Sequence, residues 1–550
     1  MNTAASPVIT TERVDDIPLL LNHMIQMGIH DTLDANFQTH DNWCGLSLGW
    51  TALIWLTHIL SEADHRLNRV QDWVAKHIKT ISTVTDLAIN PQDFTDDRLS
   101  SILRYLSQDE LWQECEREQG KHMIRVYNLP TNIVRLDATT ASSHIEPRKE
   151  SIFQLGHSKD NRPDLAQVKI MLASLDPLGL PLASQVVAGN EADDSLYEPA
   201  IKQVRATLNQ EGILYVGDCK MAANRTRAVI EGSHDFYLMP LPATIATPKT
   251  LDSYLAEATK QTIKPIFRDN DEAQEIAKGY EITEVVTGEI DGKTISWQER
   301  RLVIRSINYA KAQEKSLNKR LKKAKREIAD LTRSRSGYKC ITTLDLFWPA
   351  VNDILKQNNV EGLLEIDAVE STVEQHRRGY RGKPARIETK QVLEVNVQDN
   401  EVAIDVAIKR LGWRVYATNT PVERLSLNEA VLAYREEYII ERGFGRLKGK
   451  PLSLTPMYLQ RDDHATGLIR LLTIGLRVLT LLEFVLRSKL LETKTDIAGL
   501  YAGNPKRKTS RPTTETLLRA FNYIDLIGIK GVDGISYHLT PLTTVDIISI

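Results

Sequence analysis

The chain has 550 residues and a mass of 62.2 kDa, more than one hydrophobic core usually organises, so two or more domains are expected. Hydrophobic residues make up 42% and charged residues 26%, which excludes a disordered, collagen-like or coiled-coil chain. The 69 basic and 72 acidic residues nearly cancel, so a surface for a polyanion requires local segregation of charge.

Cysteine usage and hydropathy indicate the cellular compartment of the protein. The four cysteines are far apart and form no Cys-x-x-Cys pair, and the N-terminus does not resemble a signal peptide. A disulfide framework and a zinc ribbon are therefore excluded, and a cytoplasmic location is expected. The longest apolar stretches, 46–60 and 467–491, are too short or too charged to span a bilayer and are predicted to be buried helices, so no membrane partner is expected.

The first 241 residues divide into a helical part and a mixed part. Helical spacing of apolar residues over 1–120 predicts a separate all-helical N-terminal domain. In 121–241 the pattern changes to β, β, β, α, β, α, β, which predicts one sheet flanked by helices. Its first strand, 132–137, ends at Asp137, and its fourth, 213–218, ends at Asp218.

The segment 242–425 has a different character, with two hairpins turning at 291–292 and 399–400 around a long basic helix. We expect a β-rich insertion subdomain that projects from the edge of the sheet. A capping box at Ser426 and Glu429 then opens a helix predicted to run to about Lys448. The segment 426–491 is expected to complete the mixed domain, and 492–550 forms a tail for DNA contact or dimerisation.

Three acids are the candidate catalytic residues. Asp137 and Asp218 end two strands of one predicted sheet, so their carboxylates can converge; the alternative is a role in capping turns or helices. Glu441 shares a helix face with Tyr434, Glu437 and Lys448, and a solvated helix face is the alternative there. Carboxylate oxygens suit Mg²⁺ or Mn²⁺, and two such ions can activate an attacking oxygen and stabilise a leaving oxygen.

Basic residues are segregated despite the near-neutral total. The segment 301–339 has 13 Lys or Arg against 3 Asp or Glu, and 319–326 is basic on nearly every helical face. Two further basic loops, 376–383 and 505–511, contain glycine or proline. Contact with DNA phosphates is the prediction, and a solvated surface is the alternative. The candidate DNA-binding residues are Lys322, Lys323, Lys325, Arg326, Arg377, Arg378, Lys506 and Arg507.

Two aromatic residues and two histidines have weaker signals. Trp297 and Trp413 can stack on an extruded base, but core packing is the preferred interpretation. His157 and His464 can approach the metal site, but a hydrogen-bonded structural role is the default.

Several motifs resemble those of the DDE-class transposases of bacterial insertion sequences. They are 134–140 around Asp137, the run Gly156-His-Ser-Lys-Asp-Asn-Arg-Pro-Asp-Leu165, Gly189-Asn190 with Asp193, Val216-Gly-Asp218, and the helix from Tyr434 to Lys448. More narrowly, the chain is similar to the group with a Tyr-x₂-Arg-x₃-Glu-x₆-Lys signature and a long insertion. The signature Arg position is Glu437 here, and Arg435 is about 200° away around a helix and cannot replace it.

This resemblance implies an α/β fold with an RNase H-like mixed five-stranded catalytic sheet. It implies that Asp137, Asp218 and Glu441 bind the metal ions and that Tyr434 and Lys448 contact DNA phosphates. It also implies a bacterial enzyme that cleaves and joins double-stranded DNA at terminal inverted repeats, acts on a target DNA, and works as a homodimer on DNA, associated with the nucleoid when bound. A catalytically inactive DNA-binding relative and an RNase H-like nuclease without strand transfer stay open as alternatives.

Overall fold

A computed structural model describes residues 8–258, 261–268, 274–333, 340–377, 386–501, 503–531 and 534–542. Its α-helices are α1 (Ile17–Gln26), α2 (Ile29–Asn36), α3 (Leu48–Glu62), α4 (Leu67–Lys76), α5 (Ile78–Thr85), α6 (Asp96–Leu106), α7 (Asp109–Tyr127), α8 (Tyr197–Leu208), α9 (Asn224–Gly232), α10 (Pro248–Ala258), α11 (Ile307–Leu331), α12 (Leu344–Asn358), α13 (Glu401–Arg410), α14 (Leu427–Arg435), α15 (Tyr438–Lys448), α16 (Asp462–Thr493) and α17 (Thr514–Ala520). Its strands are β1 (Val8–Arg13), β2 (Ile133–Ser143), β3 (Ala166–Leu175), β4 (Leu180–Ala188), β5 (Leu214–Gly217), β6 (Phe236–Pro240), β7 (Lys264–Phe267), β8 (Glu275–Ile290), β9 (Lys293–Ser306), β10 (Leu364–Arg377), β11 (Arg386–Asp399), β12 (Trp413–Thr418), β13 (Ile497–Ala498), β14 (Lys508–Thr509), β15 (Asp525–Gly531) and β16 (Gly534–Leu539).

The N-terminal region is helical, as predicted, but it is not a separate domain. Helices α1 to α7 share one continuous hydrophobic core with the central sheet and α16. At Gly467 of α16, an added Cβ would lie 2.1 Å from the carbonyl oxygen of Leu103, so the two helices touch through their backbones. The region also contains a strand, because β1 pairs antiparallel with β15 near the C-terminus. The predicted division at residue 120 is therefore wrong, and α7 continues to Tyr127.

The central sheet contains the five predicted strands in the order β4-β3-β2-β5-β6. Strands β2, β5 and β6 are parallel to one another, while β3 is antiparallel to both β2 and β4. Both faces of β3 are buried, as its nearly continuous apolar sequence requires. This order confirms the mixed α/β fold that the resemblance implies.

The sheet has nine strands among the described residues, so the prediction that 242–425 projects as a separate subdomain is partly wrong. The hairpin β8–β9, with β7 and β12, continues the sheet in the order β6-β12-β9-β8-β7. Strand β6 is apolar, with Tyr237, Leu238 and Met239 buried, and its free edge pairs with β12. An edge with unpaired backbone groups beside an apolar surface recruits a further strand.

The rest of the insertion does form its own module. Helices α11 and α12 and the hairpin β10–β11 pack around a separate apolar core that includes Leu321, Phe347 and Leu393. Helix α11 contributes Leu317, Leu321, Ala324 and Ile328 to this core, at helical spacing. Within the stretch 319–326, which was predicted to be basic on nearly every helical face, Leu321 and Ala324 belong to this buried apolar face.

The helix predicted from the capping box is two helices. Ser426 and Glu429 do form the capping box that opens α14. The buried guanidinium of Arg135 then donates to the carbonyl oxygen of Ala433 at 2.7 Å, and the amide of Glu437 bonds to Tyr434 instead. Continuous α-helical bonding therefore stops at this point, and α15 starts at Tyr438.

Helix α16 carries charge inside the core. Arg477 and Glu116 are both buried and form an ion pair, and Arg477 also donates to the side chain of Gln119. Within the described part of the chain, no helix is both long and apolar enough to cross a membrane. The buried charges instead connect the N-terminal helices to the helix behind the sheet.

Candidate active site

Two predicted acids meet on neighbouring parallel strands. The register of β2 and β5 ends with Leu136 opposite Gly217, and Asp137 and Asp218 are the residues that follow this pair in the chain. Both line one narrow cavity. Asp218 follows the end of β5, as predicted, but Asp137 lies in the middle of β2, because that strand continues to Ser143. The prediction that the two carboxylates converge is supported by this geometry.

Asp137 is held by a neighbouring lysine. The ammonium of Lys159 lies 3.1 Å from Asp137 Oδ1, and the amide of Ala138 donates to the same oxygen at 2.7 Å. Burial raises the pKa of Asp137, the Lys159 ammonium lowers it, and the negative charge of Asp218 raises it again. The carboxylate therefore sits where a positive charge is favourable.

Asp218 is oriented by two hydrogen bonds to one of its oxygens. The hydroxyl of Tyr197 donates to Asp218 Oδ1 at 2.6 Å, and the amide of Lys220 donates to it at 2.8 Å. Gly217 makes room for this tyrosine, because an added Cβ would lie 3.2 Å from the Tyr197 ring and 2.9 Å from Met221 Sδ. The second oxygen of Asp218 accepts no hydrogen bond from the described residues.

Glu441 lies on the helix beside the two aspartates but does not close a metal site with them. It occupies the first turn of α15, its side chain is exposed, and it has no ion pair in the described part of the chain. No group of three or more His, Cys, Asp or Glu side chains suited to a metal ion occurs among the described residues. The predicted approach of all three acids to within a few ångströms is therefore not seen.

A fourth carboxylate, Glu437, lies nearer to the aspartates than the sequence indicated. It is half-buried and lines the same cavity as Asp137 and Asp218. Burial raises the pKa of Glu437, a hydrogen bond with Tyr434 lowers it, and the charges of Asp137, Glu441 and Asp218 raise it. The negative charges of Asp137, Asp218 and Glu441 therefore act on the Glu437 carboxylate.

Lys448 and Tyr434 also face this region. Lys448 Nζ contacts Asp160 Oδ1 at 2.6 Å and the carbonyl oxygen of Thr140 at 3.2 Å. Tyr434 is buried, lines the cavity and packs on Tyr416, with ring centroids 4.8 Å apart. The chain segment 156–165, which we call the covering loop, supplies both Asp160 and the Lys159 that contacts Asp137.

The predicted DNA-binding lysines of α11 fall into two classes. Lys323 and Lys325 are ion-paired, with Glu327 at 3.7 Å and Asp399 at 2.6 Å; we call them the paired lysines. Lys322 and Arg326 are exposed and have no acidic partner in the part of the chain that the structure describes. The latter pair is therefore available to an anionic ligand.

The described residues include only part of the basic loop 376–383 and all of the basic loop 505–511. Arg377 ends β10, and Arg378 lies outside the described residues. Lys506 and Arg507 are exposed between β13 and β14, and the Arg507 guanidinium lies 4.2 Å from the centre of the Tyr501 ring. The second loop therefore presents cations to solvent.

The remaining candidates divide between core and cleft. Trp297 is buried and donates to the hydroxyl of Tyr237 at 2.7 Å, as core packing requires. Trp413 is half-buried and borders an open cleft of about 390 Å³ that also includes Asp218. His157 is exposed, and His464 lies beside Asp463; neither is hydrogen-bonded to the acids among the described residues.

Sequence reasoning missed three residues of this site. Lys159 and Asp160 belong to a run that the resemblance included without assigning it a role. Tyr197 had no signal in the sequence, because its contact with Asp218 depends on how α8 packs on the sheet. A larger cleft of about 600 Å³, between α7, α8 and β4, lies away from these acids.

Comparison with known proteins gives a family match and similarities to solved structures. Residues 128–476, more than half of the chain, match a protein family described as a transposase DDE domain. Among solved structures, the chain is similar to a piggyBac transposase in a synaptic complex with hairpin DNA, with 8% sequence identity and a TM-score of 0.35. That similarity covers 92% of this chain and 79% of the other. Comparison with curated proteins finds no match.

Proposed function

Because the chain belongs to the family of transposases with a DDE domain, and its function is DNA transposition, we propose that Asp137, Asp218 and Glu441 are its catalytic acids. The reaction is metal-dependent cleavage of DNA at the ends of an insertion sequence, followed by strand transfer. The observation that supports this assignment is that Asp137 and Asp218 directly follow Leu136 and Gly217, the last register pair of two adjacent parallel strands. Helix α15, which bears Glu441, packs on the strand of Asp137.

We propose a divalent cation as the cofactor, although the described residues contain no group of three or more acids arranged to hold one. All the acids are oxygen donors, which suit Mg²⁺ or Mn²⁺, and two ions are expected. Like charges in a partly buried region repel one another, and a bound cation would offset that cost. When bound, the ions would activate the attacking oxygen and stabilise the leaving oxygen of a phosphodiester.

The protein itself orients the acids. Asp137 and Asp218 each accept their hydrogen bonds within the chain at Oδ1. These bonds fix the orientation of each carboxylate and leave its Oδ2 available to a cation. The hydrogen bond from Tyr197 fixes the orientation of the Asp218 carboxylate. Gly217 has no side chain that would keep the Tyr197 ring away from Asp218. We propose that binding of metal and DNA brings Glu441 to this pair.

The DNA partners follow from the same reaction. Tyr434 and Lys448 are proposed to contact the phosphates next to the scissile bond, and Lys322 and Arg326 to hold the flanking duplex. The partners would be the terminal inverted repeats and a target DNA, bound by a homodimer. End recognition is assigned to the N-terminal helices, because a site that acts on any phosphodiester does not supply sequence specificity.

Alanine substitution of the acids tests the assignment. Asp137→Ala, Asp218→Ala and Glu441→Ala are each expected to abolish Mg²⁺-dependent nicking of supercoiled DNA carrying terminal repeats. DNA affinity should stay near the wild-type value, because cations supply most of it. Equal loss of binding and cleavage would indicate misfolding, and cleavage by any of the three variants would contradict the assignment.

Product analysis separates the alternatives. Nicked ends without joined products would favour an RNase H-like nuclease, and binding without nicking by the wild type would favour an inactive relative. A subunit lacking residues 1–120 can be mixed with full-length Asp218→Ala to test for cleavage in trans. Because the N-terminal helices share the core of the sheet, the truncated subunit must first be shown to fold.

A further inference from the structure

A buried arginine lies on the same face of β2 as Asp137. Arg135 comes two residues before Asp137, and alternate residues of a strand point to the same face. Its side chain is 2% exposed and lines the narrow cavity that Asp137 and Asp218 also line. Nε and Nη1 of Arg135 have no hydrogen-bond partner among the described residues. The hydrogen bonds that this guanidinium makes there therefore come from Nη2.

Nη2 connects the sheet to the break between α14 and α15. It donates to Asp176 Oδ2 and to the carbonyl oxygen of Ala433, both at 2.7 Å. It also lies 3.6 Å from Glu436 Oε2. Glu436 is the residue at which the backbone leaves the helical conformation, with a ψ of 12°. The guanidinium therefore contacts the break at two points.

The bond to Ala433 decides the hydrogen bonds at the start of α15. In a continuous helix, the carbonyl oxygen of Ala433 would accept the amide of Glu437, four residues later. Here that amide donates to the carbonyl oxygen of Tyr434 at 3.1 Å instead. The carbonyl oxygen of Glu437 in turn accepts the amides of Ile440 and Glu441 at 3.2 and 3.3 Å. The first turn of α15, which bears Glu441, is therefore built on the residue whose helical bond Arg135 replaces.

Stability alone does not explain this arrangement. A buried ion pair such as that of Arg135 with Asp176 often stabilises a fold no more than an apolar pair of similar volume. Burial of the unpartnered Nε and Nη1 groups adds a further cost. The contact is instead specific in direction, because it takes one carbonyl oxygen out of a helix next to the proposed catalytic acids.

We infer that Arg135 is a positioning residue for the reaction, because its bond to Ala433 sets the direction of α15 and so the place of Glu441 relative to the two aspartates. The inference rests on the proposed function, since it concerns the same three acids. Arg135 itself touches no reacting atom in this assignment. Without its bond, the carbonyl oxygen of Ala433 is left to the amide of Glu437, the two helices join, and the first turn of α15 is displaced.

Hydrogen exchange of the full-length protein in EDTA, followed by mass spectrometry, tests the effect on α15 without using activity. The double variant Arg135→Met with Asp176→Asn removes both charges, so it leaves no buried carboxylate unpaired. We expect the amides of 434–441 to exchange about fivefold more slowly, which is the effect of one recovered helical hydrogen bond. Helices α1 to α6 should exchange as in the wild type. Asp176→Asn alone is the matched control, because it keeps the bond to Ala433, and it should leave exchange in this segment unchanged.

Nicking of supercoiled DNA with Mg²⁺ tests the effect on the reaction. In the double variant kcat should fall about a hundredfold, the cost of displacing a catalytic group by roughly 1 Å, with KM for DNA unchanged. Asp176→Asn should keep the wild-type kcat. Unchanged or faster exchange in 434–441, a wild-type kcat in the double variant, or the same effects in Asp176→Asn alone would each overturn the inference.

The two measurements separate this inference from the proposed function. A wild-type protein that does not nick DNA would overturn the proposed function and with it the role of Arg135 in the reaction, whereas slower exchange would still show that Arg135 sets the start of α15. If the double variant does not fold, as judged by circular dichroism, Arg135→Lys replaces it. Its side chain is one bond shorter, so it should keep the ion pair with Asp176 and lose the bond to Ala433. The same slower exchange and lower kcat are then expected, and wild-type values in folded Arg135→Lys would overturn the inference.

Discussion

The contact between Lys159 and Asp137 should oppose metal binding. The ammonium lies 3.1 Å from a carboxylate oxygen that we propose as a metal ligand, so an incoming cation must displace it. Replacing the lysine by methionine keeps a chain of similar length and removes the charge. Lys159→Met is therefore expected to bind Mn²⁺ more tightly than the wild type. In this variant the ion does not compete with the Lys159 ammonium for Asp137 and is not repelled by its positive charge.

The size of this effect follows from the exposure of the pair. The Lys159 side chain is 30% exposed and that of Asp137 is 18% exposed, so solvent screens the contact in part. Such a pair contributes about 1 kcal/mol, which corresponds to an increase in Mn²⁺ affinity of about fivefold. The loss of repulsion between the ammonium and the ion acts in the same direction and adds to this increase.

Titration of Mn²⁺ into the full-length protein measures the change, by electron paramagnetic resonance or calorimetry. Arg162→Met is the matched control, because Arg162 lies on the same loop and pairs with Asp164 rather than with a proposed catalytic acid. The control should have wild-type affinity. A Lys159→Met protein that folds normally and binds Mn²⁺ with unchanged or lower affinity would refute the reasoning and indicate that Lys159 only positions Asp137.

Two further predictions concern DNA binding and stability. The double substitution of Lys322 and Arg326 by Gln should weaken DNA binding and reduce the slope of log affinity against log salt by about 2, while substitution of the paired lysines should change the slope less. Fluorescence anisotropy measures these slopes. An equal change of slope in the two double variants would contradict the distinction between the unpaired and the paired cations. Arg477→Met should lower the free energy of unfolding in urea by about 3–5 kcal/mol, because it leaves Glu116 charged and buried. Adding Glu116→Gln should recover part of that loss, and strictly additive losses would show that the two side chains are not coupled.

The sequence predicted the part of the fold that depends on local pattern. Runs of apolar residues and turn residues gave the five strands in correct chain order, and these strands lie side by side. The capping box at Ser426 was predicted for the same reason, since its two hydrogen bonds join residues three apart. The proximity of Asp137 and Asp218 followed from their placement on two strands of one sheet.

Features that depend on distant contacts were not predictable in this way. The partner of an edge strand is not encoded in its own periodicity, so the pairing of β6 with β12 was missed. The break between α14 and α15 involves Arg135, which is 298 residues from its bonding partner Ala433 in sequence. The buried face of α11 is a different case, because the spacing of Leu317, Leu321 and Ile328 was visible and the high count of lysines obscured it.

The covering loop links the proposed metal site to the proposed DNA site through two adjacent residues of opposite charge. Lys159 contacts Asp137, where a cation is expected, and Asp160 contacts Lys448, where a phosphate is expected. Because one loop displacement releases both contacts, binding of either ligand should favour binding of the other by the same factor.

We therefore expect Mn²⁺ to raise the affinity for a pre-cleaved end duplex, and that duplex to raise the affinity for Mn²⁺, equally within error. A Lys159→Met and Asp160→Asn double variant disrupts both contacts. It should bind Mn²⁺ alone and the duplex alone more tightly than the wild type, and the factor by which each ligand raises the affinity for the other should fall towards one. Strong coupling that persists in this variant would show that the loop does not transmit it, and that direct contact between metal and DNA phosphate accounts for the whole effect.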